Sequence, residues 1–233
     1  MNQHIASMGM AIFLMSTLPA GLHAQFEHPD LRDGKKTVHN VLILPAKAEI
    51  TKSGMKGNEP LVEESRGVES ALASIVGETL TGKGCTVLPD AFTPTTLEKN
   101  TDLKYALADL QTRYDNLQEK IGKKPKDVRT GRFTLGDDVV NFTPSASSDA
   151  LVFVRARGEV ETGGKKVFTA LTGTGATTNF VVLNISVVDA QTGAVLYFAD
   201  ARVLGDFVGN PDHIKKAIDR SFKDFENPNS HKK

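Results

Sequence analysis

The chain has no tryptophan, a single cysteine among 233 residues and only 6% aromatic residues. Without indoles, a site that stacks sugar rings on flat side chains is disfavoured. One cysteine, Cys85, cannot close an internal disulfide; an extracytoplasmic eukaryotic domain commonly relies on disulfides, whereas a bacterial periplasmic one need not. Charge of one sign is also missing, with 28 basic residues against 28 acidic ones, so bulk charge points to no nucleic-acid partner. The most informative absence is local: no Lys, Arg, Asp or Glu occurs before Glu27.

Within that uncharged stretch, Met8 to Leu18 is an apolar run of the length of a signal-peptide core. A membrane span needs about 20 such residues. Pro19 and Gly21 break a helix there, and Leu22-His23-Ala24 puts a small residue where a signal peptidase requires one. The expectation is a cleavable secretory signal over residues 1–24, cut after Ala24 with Ala20 as the alternative. The product is then periplasmic or secreted, with no stable membrane insertion. A buried amino-terminal helix is the competing reading of the same run. No cysteine follows the cut, so the lipid attachment of a bacterial lipoprotein is not expected. The polar ends, 25–37 and 226–233, read as flexible, leaving one domain over 38–225.

Along that domain, Val38 to Pro45 reads as a strand, followed by a polar loop from Lys47 to Pro60. Val68, Leu72, Ile75, Val76, Thr79 and Leu80 recur at helical spacing, which predicts an amphipathic helix from Val62 to about Leu80. Glu63 and Glu64 fall in its first turn, where the macrodipole favours acids. Cys85 to Leu88 is a short strand in which the lone cysteine serves as a small buried hydrophobe. From Thr101 to Ile121, Leu103, Leu107, Leu110, Tyr114, Leu117 and Ile121 alternate steps of four and three. That seam either lies on a sheet or joins two copies in a homo-oligomer. Leu151 to Val154 is apolar on both faces, and its continuation through Arg155 and Arg157 turns polar on one. Phe180 to Val188 places Val181, Leu183, Ile185 and Val187 on one side and Asn184 and Ser186 on a partly wet other side. Asp189 to Gly193 is a hairpin loop, Ala194 to Val203 its partner strand, and Ile214 to Phe225 the stripe of a closing helix. The order β-α-β-α-β-β-β-α predicts an α/β (α+β) domain with one mixed sheet of about five strands and helices packed on it.

Val41 to Pro45, Asp149 to Val154 and above all Leu183-Asn-Ile-Ser-Val-Val-Asp-Ala-Gln-Thr-Gly-Ala-Val-Leu196 carry a resemblance. In these pieces the chain resembles envelope proteins of the TolB amino-terminal-like fold. Among them are the curli-secretion lipoprotein and the lipoprotein activators of penicillin-binding proteins. The resemblance implies an α/β envelope domain of accessory function. It departs from those relatives in lacking an anchoring cysteine, and Glu161 to Asn179 barely supplies the two strands of a pore-forming hairpin.

The residues that bear chemistry assemble no recognised catalytic set. Gly173-Thr-Gly175 lacks the Lys-Ser/Thr and the helix of a phosphate loop. No His pair has metal-ligand helix spacing, and His28 with Asp30 and Asp33 reads as an exposed polar tail. Neither metal nor cofactor is expected. The leading expectation is a non-enzymatic domain that binds an envelope protein or an anionic polymer. Its candidate contact is the basic connector Lys123, Lys124, Lys126, Arg129 and Arg132. The alternatives are an envelope hydrolase built on His39, Asp137 or Asp138, which requires those side chains to meet in one cleft, and an oligomeric secretion or assembly component joined through the Leu103 to Ile121 seam.

Overall fold

The computed structural model describes residues 23–54, 57–142, 144, 147–161 and 179–225. The apolar run Met8 to Leu18, the Gly173-Thr-Gly175 segment and the tail 226–233 lie outside the described residues. The strands are β1 (His23–Glu27), β2 (Asn40–Ile43), β3 (Lys47–Gly54), β4 (Gly57–Pro60), β5 (Thr86–Val87), β6 (Ala150–Glu161), β7 (Phe180–Asp189) and β8 (Val195–Leu204). The helices are α1 (Pro29–Arg32), α2 (Val62–Gly82), α3 (Pro94–Lys99), α4 (Thr101–Lys123) and α5 (Pro211–Ser221), with 3-10 turns at Pro125–Thr130 and Asp137–Asn141.

One mixed sheet runs in the order β1-β8-β7-β6-β2-β5, and β3 continues the line of β2 beside the far half of β6. The two βα crossovers bring β5 and β6 parallel to β2, while β6, β7 and β8 pair antiparallel. Helices α2 and α5 cover one face, through Val68, Leu72, Val76, Ile214, Ile218 and Phe222. Helix α4 covers the other, through Leu107, Leu110, Tyr114, Leu117 and Ile121 packed on Leu151, Phe153 and Phe198. The result is a three-layer α/β/α domain with a core on each side of the sheet.

Local chemistry explains the joints. Asn100 caps α4 by accepting from the Leu103 N–H at 2.9 Å, and Asn210 caps α5 ahead of Pro211 in its first turn. In the Asp189-to-Gly193 hairpin, one oxygen of buried Asp189 accepts from the N–H groups of Gln191 and Thr192 and from the Thr192 hydroxyl. Its second oxygen accepts from the Lys36 ammonium. Burial by itself pushes the Asp189 carboxyl up, and these bonds outweigh it, holding it below the usual carboxylate range. Cys85 is buried, as its place at the entry to β5 predicts, with Sγ 3.5 Å from the Val38 carbonyl.

Two expectations are corrected and one pair of alternatives is decided. The described residues form eight strands, because Lys47 to Pro60 is the hairpin β3–β4 and not a loop, and His23–Glu27 adds β1. Lys47, Glu49 and Thr51 are the outward half of a strand whose Ala48 and Ile50 are buried. Side chains of α2, Glu69 and Ser65, accept the Ala48 and Ile50 N–H groups at 2.9 and 3.0 Å. Residues 25–37 are not a flexible segment in this structure. β1 pairs with β8 over five residues, Phe26 and Leu31 are buried, and His28 is a helix cap, its Nδ1 accepting from the Asp30 N–H at 3.1 Å. Finally, the Leu103 to Ile121 seam is spent on the chain's own sheet. Leu107, Leu110, Tyr114, Leu117 and Ile121 are buried there, so these seam residues do not present a face to a second copy.

Candidate functional site

The three layers do not end together. On the α4 side of the sheet, burial falls off strand register by strand register. The row Phe153–Ser186–Phe198 is fully buried beneath Tyr114, whose ring stacks on Phe153 at 4.1 Å and whose hydroxyl donates to Ser186 at 2.8 Å. The next row, Arg155–Asn184–Asp200, is half open, with Arg155 buried and the other two partly exposed. In the row after that, Arg157–Val182–Arg202, both arginines are exposed, and the last row, Glu159–Phe180–Leu204, ends on a Leu204 that is 40% exposed. The opposite face of the same strands stays buried under α2 and α5, at Ala156, Val181, Leu183, Ala201 and Val203. Among the described residues, one side of the sheet is therefore left uncovered at the far end of β6.

The wall of this open end is α4. Asp115 accepts from Arg155 Nε at 2.6 Å and from Lys47 at 2.9 Å. The other nitrogens of Arg155 donate to Gln111 and, at 3.0 Å, to the Val154 carbonyl, and its guanidinium lies 4.9 Å from the centre of the Tyr114 ring. A buried guanidinium is tolerated because each of its nitrogens is met. Partial burial pushes the Asp115 carboxyl up, and the bonds from Lys47 and Arg155 more than reverse this. Burial raises the Tyr114 phenol to about 12, so it stays a hydroxyl donor. Gln118 donates to Asn184 at 2.6 Å. Further out, Arg157 pairs with Glu49 at 3.0 Å, both side chains about 70% exposed. Arg202 lays its guanidinium over the Phe180 ring at 4.5 Å.

The basic connector leaves the same wall. Lys123, Lys124 and Lys126 are exposed and have no ion pair among the described residues. Arg132 pairs with Asp127 at 3.5 Å. Arg129 reaches over the edge strand, 5.3 Å above the Phe26 ring, and donates to the Gln25 carbonyl at 3.4 Å. There it helps to line a cleft of about 270 Å³ with Arg32, Glu27 and Asp224. The five basic residues thus divide: two are held by neighbours and three project into solvent.

The residues of the hydrolase alternative hang from separate supports. Both oxygens of Asp138 are taken by Arg113 of α4, at 2.7 and 2.5 Å. Asp137 is exposed beside it. His39 precedes β2, where its N–H donates to Asp149 at 2.9 Å. Among the described residues no group of three or more His, Cys, Asp or Glu is placed to hold a metal ion, and no described helix is long and apolar enough to cross a membrane.

No family model matches the chain, and no curated protein does. Solved structures are similar to it in outline. PelC from Paraburkholderia phytofirmans, solved as a dodecamer in two crystal forms, is 11% identical in both. In one form the match covers 89% of this chain and 99% of PelC with a TM-score of 0.42; in the other it covers 87% and 95% with 0.39. The lipoprotein GNA1162 from Neisseria meningitidis is 14% identical over 80% of this chain and 97% of its own, with a TM-score of 0.40. A likeness this distant carries no function from those proteins to this chain.

The open end of the sheet was only half legible beforehand. The polar turn of Arg155 and Arg157 and the wet side at Asn184 and Ser186 point to it. Asp200 and Arg202 carry the same alternation on β8.

Proposed function

We propose that this chain is an exported, non-enzymatic interaction domain of the bacterial cell envelope that takes a protein or an envelope polymer on the open end of its sheet. One observation carries the reading: among the described residues, one face opens row by row, from the half-open Asn184 and Asp200 to the exposed Arg157 and Arg202, while the other face of the same strands is buried. Successive rows lie two residues apart along the strands, roughly 6.7 Å, a repeat that suits hydrogen bonding to an extended polar chain. The uncharged apolar run from Met8 to Leu18 supports export. Cleavage after Ala20 keeps all five β1–β8 pairs, whereas cleavage after Ala24 removes those of His23 and Ala24. Lys123, Lys124, Lys126, Arg129 and Arg132 form a second contact, suited to an anionic partner.

The test is capture from envelope extracts by three forms of the protein: wild type, Arg157→Glu, and Lys123→Glu/Lys124→Glu/Lys126→Glu. The expected result is a partner retained by wild type, lost by the open-face form, and held by the connector form with a weaker salt dependence. If wild type retains nothing, or all three forms retain the same material equally, the proposal fails.

A further inference from the structure

Among the described residues, charge on the open face is paired with two exceptions. Lys47 and Arg155 share Asp115, and Arg157 meets Glu49. Asp200 and Arg202, two residues apart on β8 and therefore on the same face, meet no opposite charge among the described residues. Arg202 rests on Phe180 and points its charge outward. Asp200 is half-buried between its register partners Asn184 and Ala24 and has no hydrogen bond among the described residues. Partial withdrawal from water with no compensating donor is costly for a carboxylate, and burial accordingly raises its pKa.

An unmatched acid and an unmatched base side by side are self-complementary. A two-fold axis lying in the interface and crossing β8 midway between them brings each acid over the other copy's base. We propose that the open face is a homodimer interface in which Asp200 of each copy pairs with Arg202 of the other. Val182 and exposed Leu204 flank the pairs and supply the apolar contact. This names the occupant of the surface proposed above and rests on that surface being a contact site. It also relocates self-association from the α4 seam, which is buried, to a face that is open.

The experiment is sedimentation of the purified chain over a range of concentrations. Wild type is expected at twice the mass of one chain. Arg202→Asp and Asp200→Arg each place like charges across the axis and should weaken the dimer by more than about tenfold. The double exchange, Asp200→Arg with Arg202→Asp, restores opposite charges and should return the dimer. Arg202 is exposed, so Arg202→Asp carries the test even if Asp200→Arg fails to fold, with circular dichroism as the check. A wild type that is monomeric at every concentration, an Arg202→Asp form as dimeric as wild type, or a folded double exchange that stays monomeric overturns the proposal. If wild type is monomeric while Arg157→Glu still loses its envelope partner, the dimer falls and the binding domain stands.

Discussion

Two glycines with nearly the same backbone isolate what packing against the hairpin is worth. Gly34 has φ +70° and Gly193 has φ +68°. A methyl group added at Gly34 meets nothing within 4 Å, whereas at Gly193 it meets the backbone of Gly136, with the carbonyl oxygen at 2.5 Å and the nitrogen at 2.9 Å. An L-residue in the left-handed region costs about 1–2 kcal/mol, and that is all Gly34→Ala should lose. At Gly193 the obstacle is main chain and cannot swing aside. Residues 133–136 must move, which strains the Leu135 N–H to Gly193 carbonyl bond of 2.8 Å and the Val195 N–H to Phe133 carbonyl bond of 2.9 Å. Each is worth about 0.5–1.5 kcal/mol. Gly193→Ala should therefore lose about 2–5 kcal/mol, a large share of the stability of a single domain. Urea unfolding followed by circular dichroism measures both, with unchanged m-values as the sign that only stability moved. Equal losses for the two variants would refute the claim that Gly193 is dictated by the close approach of Gly136.

Tyr114→Phe should destabilise the chain by about 1–2 kcal/mol, since it strands the buried Ser186 hydroxyl. Adding Ser186→Ala should restore part of that loss, and strict additivity of the two changes in urea unfolding would contradict a direct bond between them. Asp189, whose folded-state pKa is depressed, contributes stability above the ordinary carboxylate range and loses it as pH falls through its folded value. Asp189→Asn should therefore be less stable at neutral pH and show a shallower loss of stability on acidification than wild type. Parallel acid profiles would sink that reading.

Much of the fold is written locally. The seam of α4 and the stripe of α2 each place one apolar face by periodicity alone, and the helices observed run within a few residues of those patterns. The Asp-x-x-Thr-Gly hairpin is legible for the same reason: Asp189 bonds to residues two and three positions on, so its cause lies inside the motif. β3 and β1 were not legible. A strand with one charged side looks like a loop until its partner is known, and the partners of Lys47 and Gln25 are Arg155 and Ala199.

By itself, the sequence determined the types of α2, β5, α4, β6, β7, β8 and α5, the mixed parallel and antiparallel sheet, the burial of Cys85 and the absence of charge before Glu27. All of these follow from patterns confined to a few turns or a few residues. Only the tertiary structure decided which face is left open. That depends on where α4 crosses the strands: Tyr114 and Leu117 seal the row Phe153–Ser186–Phe198, and the same alternation one row further, at Arg155, Asn184 and Asp200, is left half-open. Side-chain pattern tells which residues share a face, but the covering of a face is set by packing between elements far apart in the chain.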